Sequence, residues 1–152
     1  MPRIQSNGLK LYCEANAEGQ PLVFIHGLGS STRDWEFQVA EFSNFYEVIT
    51  FDIRGHGRSD KPEGPYRVPM FAADLAALLQ ALGLGSAHIV VLSLGGVVAF
   101  QFAIDHQSMV KTLTIVNSAP TLREDPEEAR QAQVRRLSRV RQVGMRGLGQ
   151  TL

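Results

Sequence analysis

Apolar and polar positions along the chain follow two alternating periods. Four short runs rich in Val and Ile suit strands buried on both faces of a parallel sheet: PLVFIH (21–26), EVITFD (47–52), AHIVVL (87–92) and KTLTIV (111–116). Between them the spacing becomes helical. Residues 33–42 carry Trp35, Val39 and Phe42, while residues 69–82 set Phe71, Leu75, Leu78, Leu79 and Leu82 on one stripe. Pro69 suits the first turn of that second helix and Gly83 its stop. Residues 94–105, LGGVVAFQFAID, are apolar nearly all round and predict a helix packed against the sheet. Ahead of these elements, Asn7-Gly8 between RIQS and LKLYCEA predicts a hairpin over 3–15, with Cys13 as a small apolar side chain in its second strand. Strand and helix alternate, so the class is α/β: a mostly parallel sheet with right-handed crossovers and an N-terminal hairpin.

Composition narrows the function classes. The 152 residues are 44% hydrophobic and 20% charged, enough for one domain with a real core. The 15 basic and 15 acidic side chains cancel, which excludes a generally basic nucleic-acid binder. The first twenty residues hold no apolar h-region, and no apolar run approaches the roughly 18–20 residues that span a bilayer. The expectation is a cytoplasmic domain with neither a membrane nor a nucleic-acid partner. One cysteine permits no internal disulfide and no cysteine zinc cluster.

Charge also divides the chain. Residues 1–122 hold 8 basic and 11 acidic side chains, a balance of −3, and residues 123–152 hold 7 Arg and 4 acids, a balance of +3. The expected division is therefore a core over 1–122 and a separate segment over 123–152. Residues 124–143 read as a helix with acids first and arginines after, in keeping with the helix dipole, and with a narrow stripe of Val134, Leu137 and Val140. Its arginines suit a solvated face better than a site for an anionic partner.

The chemistry-bearing signal is VVLSLGGVVAF. Ser93 closes a buried strand and opens a helix, a corner that projects its Oγ away from the sheet. The Leu94 N–H then lies at the helix N-terminus, where an oxyanion can be held. Gly95 is small because strand and helix pass close together there. After the first parallel strand, His26-Gly27-Leu28-Gly29-Ser30 can present a second N–H, from Leu28, to the same oxyanion. After the next strand comes Asp52-Ile53-Arg54-Gly55-His56-Gly57-Arg58-Ser59. A dinucleotide fingerprint is the competing reading, since Gly27-x-Gly29 follows a strand and Asp52 lies 25 residues beyond Gly27. It fails because Thr32 stands at the third glycine position.

Together the HG-x-G loop, the D-x-RGHG-x-S loop and the serine elbow resemble the α/β-hydrolase superfamily, specifically its esterase and 3-oxoadipate enol-lactonase-like members. The resemblance covers about residues 1–122, and residues 123–152 resemble the start of the variable helical cap. It implies Ser93 as nucleophile toward an ester or lactone carbonyl, an oxyanion hole from the Leu28 and Leu94 N–H groups, and an acyl-enzyme resolved by water. It implies ordering roles in the loops for His26, Gly27, Gly29, Asp52, His56 and Gly95, and no metal or organic cofactor. Serine at the elbow, rather than aspartate, sets the chain apart from the dehalogenase and epoxide-hydrolase branches.

The pattern also departs from the family. Val91 stands where a small residue usually sits two positions before the nucleophile, which predicts a slightly opened elbow. The family's later acid and histidine have no counterpart, and the stretch after the last strand, Val116-Asn117-Ser118-Ala119, offers no carboxylate. His88 is roughly 16 Å from Ser93 along its strand and His106 roughly 18 Å away along the helix, while His26 and His56 share the serine's rim. The chain is thus expected to be truncated in the cap and weak or inactive alone. The runner-up is a non-catalytic fragment that binds a ligand or a partner chain. With no following strand, residues 111–116 form an open apolar edge that invites self-association or a complementing chain.

Overall fold

The computed structural model describes residues 3–118 and eight helical positions beyond them, Arg130, Gln131, Val134, Arg135, Ser138, Arg139, Arg141 and Gln142. Two compact units divide the chain, Met1–Ala119 and Pro120–Leu152. Of the second unit, the eight described positions are helical and exposed. The expected division between residues 122 and 123 and the stripe positions Leu137 and Val140 lie outside the described residues.

In the first unit the elements fall where the periodicities predict. The hairpin is β1 (Arg3–Ser6) and β2 (Leu9–Asn16), with Asn7 and Gly8 both at positive φ, 47° and 76°. Next come β3 (Gln20–Ile25), a 3₁₀ turn (Thr32–Trp35) running into α1 (Glu36–Phe42), and β4 (Tyr46–Phe51). They are followed by α2 (Val68–Ala81), β5 (Ala87–Leu92), α3 (Leu94–Asp105) and β6 (Val110–Val116). The sheet order is β1-β2-β4-β3-β5-β6. Pairs β1–β2 and β2–β4 are antiparallel, whereas β3–β4, β3–β5 and β5–β6 are parallel. Parallel pairing carries the chain segments after β3, β4, β5 and β6 to one edge of the sheet, where open α/β sheets hold their ligands.

Composition predicts strands buried on both faces, and the structure covers the two faces unequally. One face, with Val23, Ile25, Ile49, Phe51, Ile89 and Val91, packs under α2 and α3 into a continuous core. The other, with Leu22, Phe24 and Val48, is covered among the described residues by Trp35 and α1. There, β5 alternates buried with half-buried positions and β6 is largely half-buried or exposed. A groove of about 450 Å³ lies on this side, with Leu22, Phe24, Trp35, Tyr46, Val90 and Thr114 among its walls. The Trp35 Nε1 and Gln38 Oε1 atoms are buried there without a hydrogen-bond partner among the described residues. Apolar side chains also stay outside the core: Phe37 is 85% exposed and Ile104 77%.

Cys13 is buried in β2, and burial pushes its thiol up to about 12. A buried ion pair joins the hairpin, the loop after β4 and α2. The Arg54 guanidinium donates from Nε to Asp74 Oδ2 at 2.5 Å and from Nη2 to Asp74 Oδ1 at 2.6 Å. Asn7 Nδ2 donates to the same Oδ1 at 2.8 Å, and Ser6 Oγ donates to the Asp74 carbonyl at 3.1 Å. The forked geometry satisfies both carboxylate oxygens, which is the condition for burying such a pair.

Candidate active site

Ser93 joins β5 to α3 with φ 51° and ψ −111°. A non-glycine residue at positive φ is held there only when its surroundings over-determine it, and here they do. The Ser93 N–H donates to the Val116 carbonyl at 3.1 Å, and the Gly96 N–H donates to the Ser93 carbonyl at 2.9 Å. A Cβ at Gly95 would lie 2.6 Å from the Ile25 carbonyl oxygen, so the first turn of α3 approaches the end of β3 as only glycine permits. A Cβ at Gly96 would collide with the Ser118 side chain, which puts the segment after β6 against the same turn. Val91 is fully buried, in register with Ile25 and Ile115. The Ser93 side chain is exposed, and its Oγ makes no capping hydrogen bond.

The loop after β3 lies beside this corner. A Cβ at Gly27 would sit 3.4 Å from Ser93 Cβ. His26 anchors the loop from below: its ring is buried, Nδ1–H donates to the Gly27 carbonyl at 2.7 Å, and Nε2 accepts the Ile53 N–H at 3.1 Å. These contacts define a neutral imidazole, and burial holds its pKa below the usual histidine range. With both nitrogens engaged by backbone, His26 is not placed to accept a proton from Ser93. Leu28 stands out of the loop, 52% exposed, and Gly29 follows at φ 75°. Neither the Leu28 N–H nor the Leu94 N–H has an acceptor among the described residues.

Asp52 fixes the second loop to the first. Its buried carboxylate accepts the Thr32 N–H on Oδ1 and the Arg58 N–H on Oδ2, both at 2.7 Å. Gly57, at φ 46°, lies so close that any side chain would strike this carboxylate. The Ser59 hydroxyl donates to the Asp52 carbonyl and accepts the Tyr12 N–H at 2.8 Å, closing the loop onto β2. His56 Nδ1 donates to the Arg54 carbonyl at 3.1 Å, and its ring lies 5.3 Å from that of His26.

The structure thus brings Ser93, Gly27 and the Leu94 amide together and keeps two histidines away. His88 sits in β5, with Nδ1 on Thr112 Oγ1 at 2.8 Å and Nε2 on Gln20 Oε1 at 3.1 Å. His106 caps the opposite end of α3 from Ser93. Asn117, at φ 49°, and Ser118 occupy the position after β6. Sequence reasoning missed Asp74. A lone acid among the apolar positions of α2, with Arg54 in a buried loop, is the signal that could have found it.

An exposed serine at a strand-to-helix corner, on the ligand-holding edge of an open α/β sheet, is the frame on which hydrolases of this architecture are built. The chain belongs to the alpha/beta hydrolase fold family, whose model matches residues 20–146. It is similar to 3-oxoadipate enol-lactonase 2 of Acinetobacter baylyi, 33% identical over 135 residues covering 89% of this chain and 49% of that protein. It is also similar to epoxide hydrolase 4 of Mus musculus, 31% identical over 119 residues covering 76% of this chain and 33% of that protein. The crystal structure of the enol-lactonase from Burkholderia xenovorans superimposes with a TM-score of 0.88 at 28% identity, over 99% of this chain and 57% of that one. The chain therefore spans half or less of the length of these curated relatives. Among the described residues no helix is long and apolar enough to cross a membrane.

Proposed function

We propose that the chain carries the nucleophile half of a cytoplasmic serine hydrolase acting on carboxylic ester or lactone bonds. Ser93 Oγ adds to the carbonyl carbon as its proton passes to water or hydroxide, and the developing oxyanion is held by the Leu28 and Leu94 N–H groups. Its collapse breaks the acyl C–O bond and expels the alcohol, protonated by water, and a second water hydrolyses the acyl-enzyme on Ser93 to the carboxylic acid. The observation that carries this reading is the exposed Ser93 at φ 51°, followed by the Leu94 amide and packed beside the Gly27 turn, with neither the Leu94 nor the Leu28 N–H accepted among the described residues. Serine in place of a carboxylate separates it from the reaction that the epoxide hydrolase's name describes. Turnover by the 152-residue chain alone is weak, because His26 is committed to backbone on both nitrogens and His88 and His106 lie on other parts of the fold. An oxyanion hole without a base still leaves a fraction of the rate.

Treatment with a fluorophosphonate, followed by intact mass, tests both parts. The expected result is one adduct per chain, lost in Ser93→Ala, forming at a rate that rises about tenfold per pH unit from pH 7 to 9 because hydroxide does the work of the missing base. No adduct on a chain with a cooperative melt would overturn the nucleophile. A rate that levels off near neutral pH would overturn the absence of a base. Saturable binding of an ester without any adduct would favour a ligand-binding fragment instead.

A further inference from the structure

The loop that carries the Leu28 N–H is suspended between two anchors. At its near end the His26 Nδ1–H and the Ser30 N–H both donate to the Gly27 carbonyl, at 2.7 and 3.4 Å. Gly29 at φ 75° completes a tight turn over 27–30, of the kind that needs a left-handed third residue. Across a planar trans peptide the Leu28 N–H points opposite to the Gly27 carbonyl, so fixing one aims the other. The far end is Thr32, buried at the start of the 3₁₀ turn. Asp52 Oδ1 accepts its N–H at 2.7 Å. One hydrogen bond is a pivot, and a second contact from another direction stops the swivel.

That second contact comes from Arg58. Its Nη2 donates to Thr32 Oγ1 at 3.3 Å and to Glu14 Oε1 at 3.4 Å. The guanidinium carbon lies 3.5 Å from the centroid of the Tyr12 ring, and the Arg58 N–H donates to Asp52 Oδ2 at 2.7 Å. The side chain is 52% exposed, yet ring, carboxylate and hydroxyl hold it from three sides. Tyr12 is a firm platform. It is buried, its N–H donates to Ser59 Oγ at 2.8 Å, and its carbonyl accepts the Asp52 N–H at 2.9 Å. A flat guanidinium stacks on a ring face and donates in its own plane at once, which an ammonium does not do.

We propose that Arg58 is a positioning residue for the candidate site. Stacked on Tyr12 of β2, it locks Thr32 against rotation and so sets the far end of the loop whose Gly27 turn packs beside Ser93. Without Arg58 the Thr32 N–H keeps its bond to Asp52, so the fold survives while the segment between the anchors gains a swing. The Leu28 donor is then misaligned rather than removed. The consequence for chemistry rests on the Ser93 reading; the brace itself rests only on these contacts.

Amide resonances of the 152-residue chain read the brace directly, whatever Ser93 does. In Arg58→Ala the Gly29, Ser30 and Ser31 amides should shift or broaden and the Thr32 N–H should exchange with solvent about fivefold faster, while the amides of α2 stay as they were. Unchanged loop amides would overturn the proposal. Arg58→Lys keeps the charge without the flat fork and should resemble Arg58→Ala; a Lys variant indistinguishable from the wild type would mean that charge alone acts, and would overturn it too. The fluorophosphonate rate reads the consequence. Arg58→Ala should slow adduct formation about tenfold, less than the roughly hundredfold or more lost with an oxyanion donor, and Thr32→Ala should add little to that loss. The ratio of this rate to that of the thiophosphoryl counterpart should also fall, because sulfur accepts weaker hydrogen bonds and only an aligned donor discriminates against it. Altered loop amides with an unaltered ratio would confine Arg58 to the fold and overturn the positioning role. A wild type that forms no adduct overturns the Ser93 reading, and the loop amides then decide the brace by themselves.

Discussion

On one side of the sheet, α2 and α3 close over side chains from β2, β3, β4 and β5, and residues such as Leu75, Leu78, Ile89 and Phe102 are wholly excluded from water. On the other side, α1 and Trp35 cover Leu22, Phe24 and Val48, and a groove is left beside β5 and β6. The strands that supply the two faces are the same, so composition along a strand does not distinguish them. What differs is the covering layer. The Ser93 corner is held by α3 on the well-covered side and by the ends of β3, β5 and β6, strands that serve both faces, so the geometry of the site rests on the sheet as well as on that half of the packing.

The largest effect should come from the pair that ties the covered side to the motif loop. Arg54→Ala or Asp74→Ala leaves one buried charge unpaired and should cost about 3–5 kcal/mol, read from urea denaturation. A loss below about 1 kcal/mol would mean the pair is wetter than its geometry indicates. Next, truncations on the two faces should differ. Leu75→Ala under α2 should cost about 2–5 kcal/mol, whereas Val90→Ala beside the groove should cost less than about 1 kcal/mol. Equal losses would show that the groove side is packed as tightly as the other.

The smallest effect is on pH dependence. Burial lowers the folded pKa of His26. The unfolded chain therefore binds a proton more readily, and the stabilisation that His26 contributes is present above the unfolded value near 6.5 and lost as pH falls below it. The melting temperature should decline from about pH 7 toward about pH 5, and the His26 ring resonances should show no midpoint at or above 6.5. A midpoint there would place the ring in water.

Much of this was legible in the sequence. Alternation of Val/Ile runs with 3.6-residue stripes predicts the four later strands and the three helices of the first unit, because each apolar period must bury its own face, and Asn7-Gly8 predicts the hairpin. The Ser93 corner is legible for a similar reason: a buried strand, a serine and two glycines leave the backbone few ways to turn. The partners of His26 and Asp52 are not legible, since both bind backbone N–H groups that every residue but proline carries. The open face was hidden too. Residues of β5 and β6 have the composition of fully buried strands, and only the arrangement of helices decides that His88, Val90 and Thr114 face a groove.

The lone thiol gives the protein a timer of its own. Cys13 lies in the second strand, 1% exposed, with its ionisation pushed up to about 12. Thiolate rather than thiol attacks a disulfide reagent, so the folded chain presents almost nothing reactive at neutral pH. A reagent such as a chromogenic disulfide would therefore wait for β2 to detach from β4. At high reagent concentration the colour would appear at the rate of that opening, and the unfolding clock could be read without attaching a label.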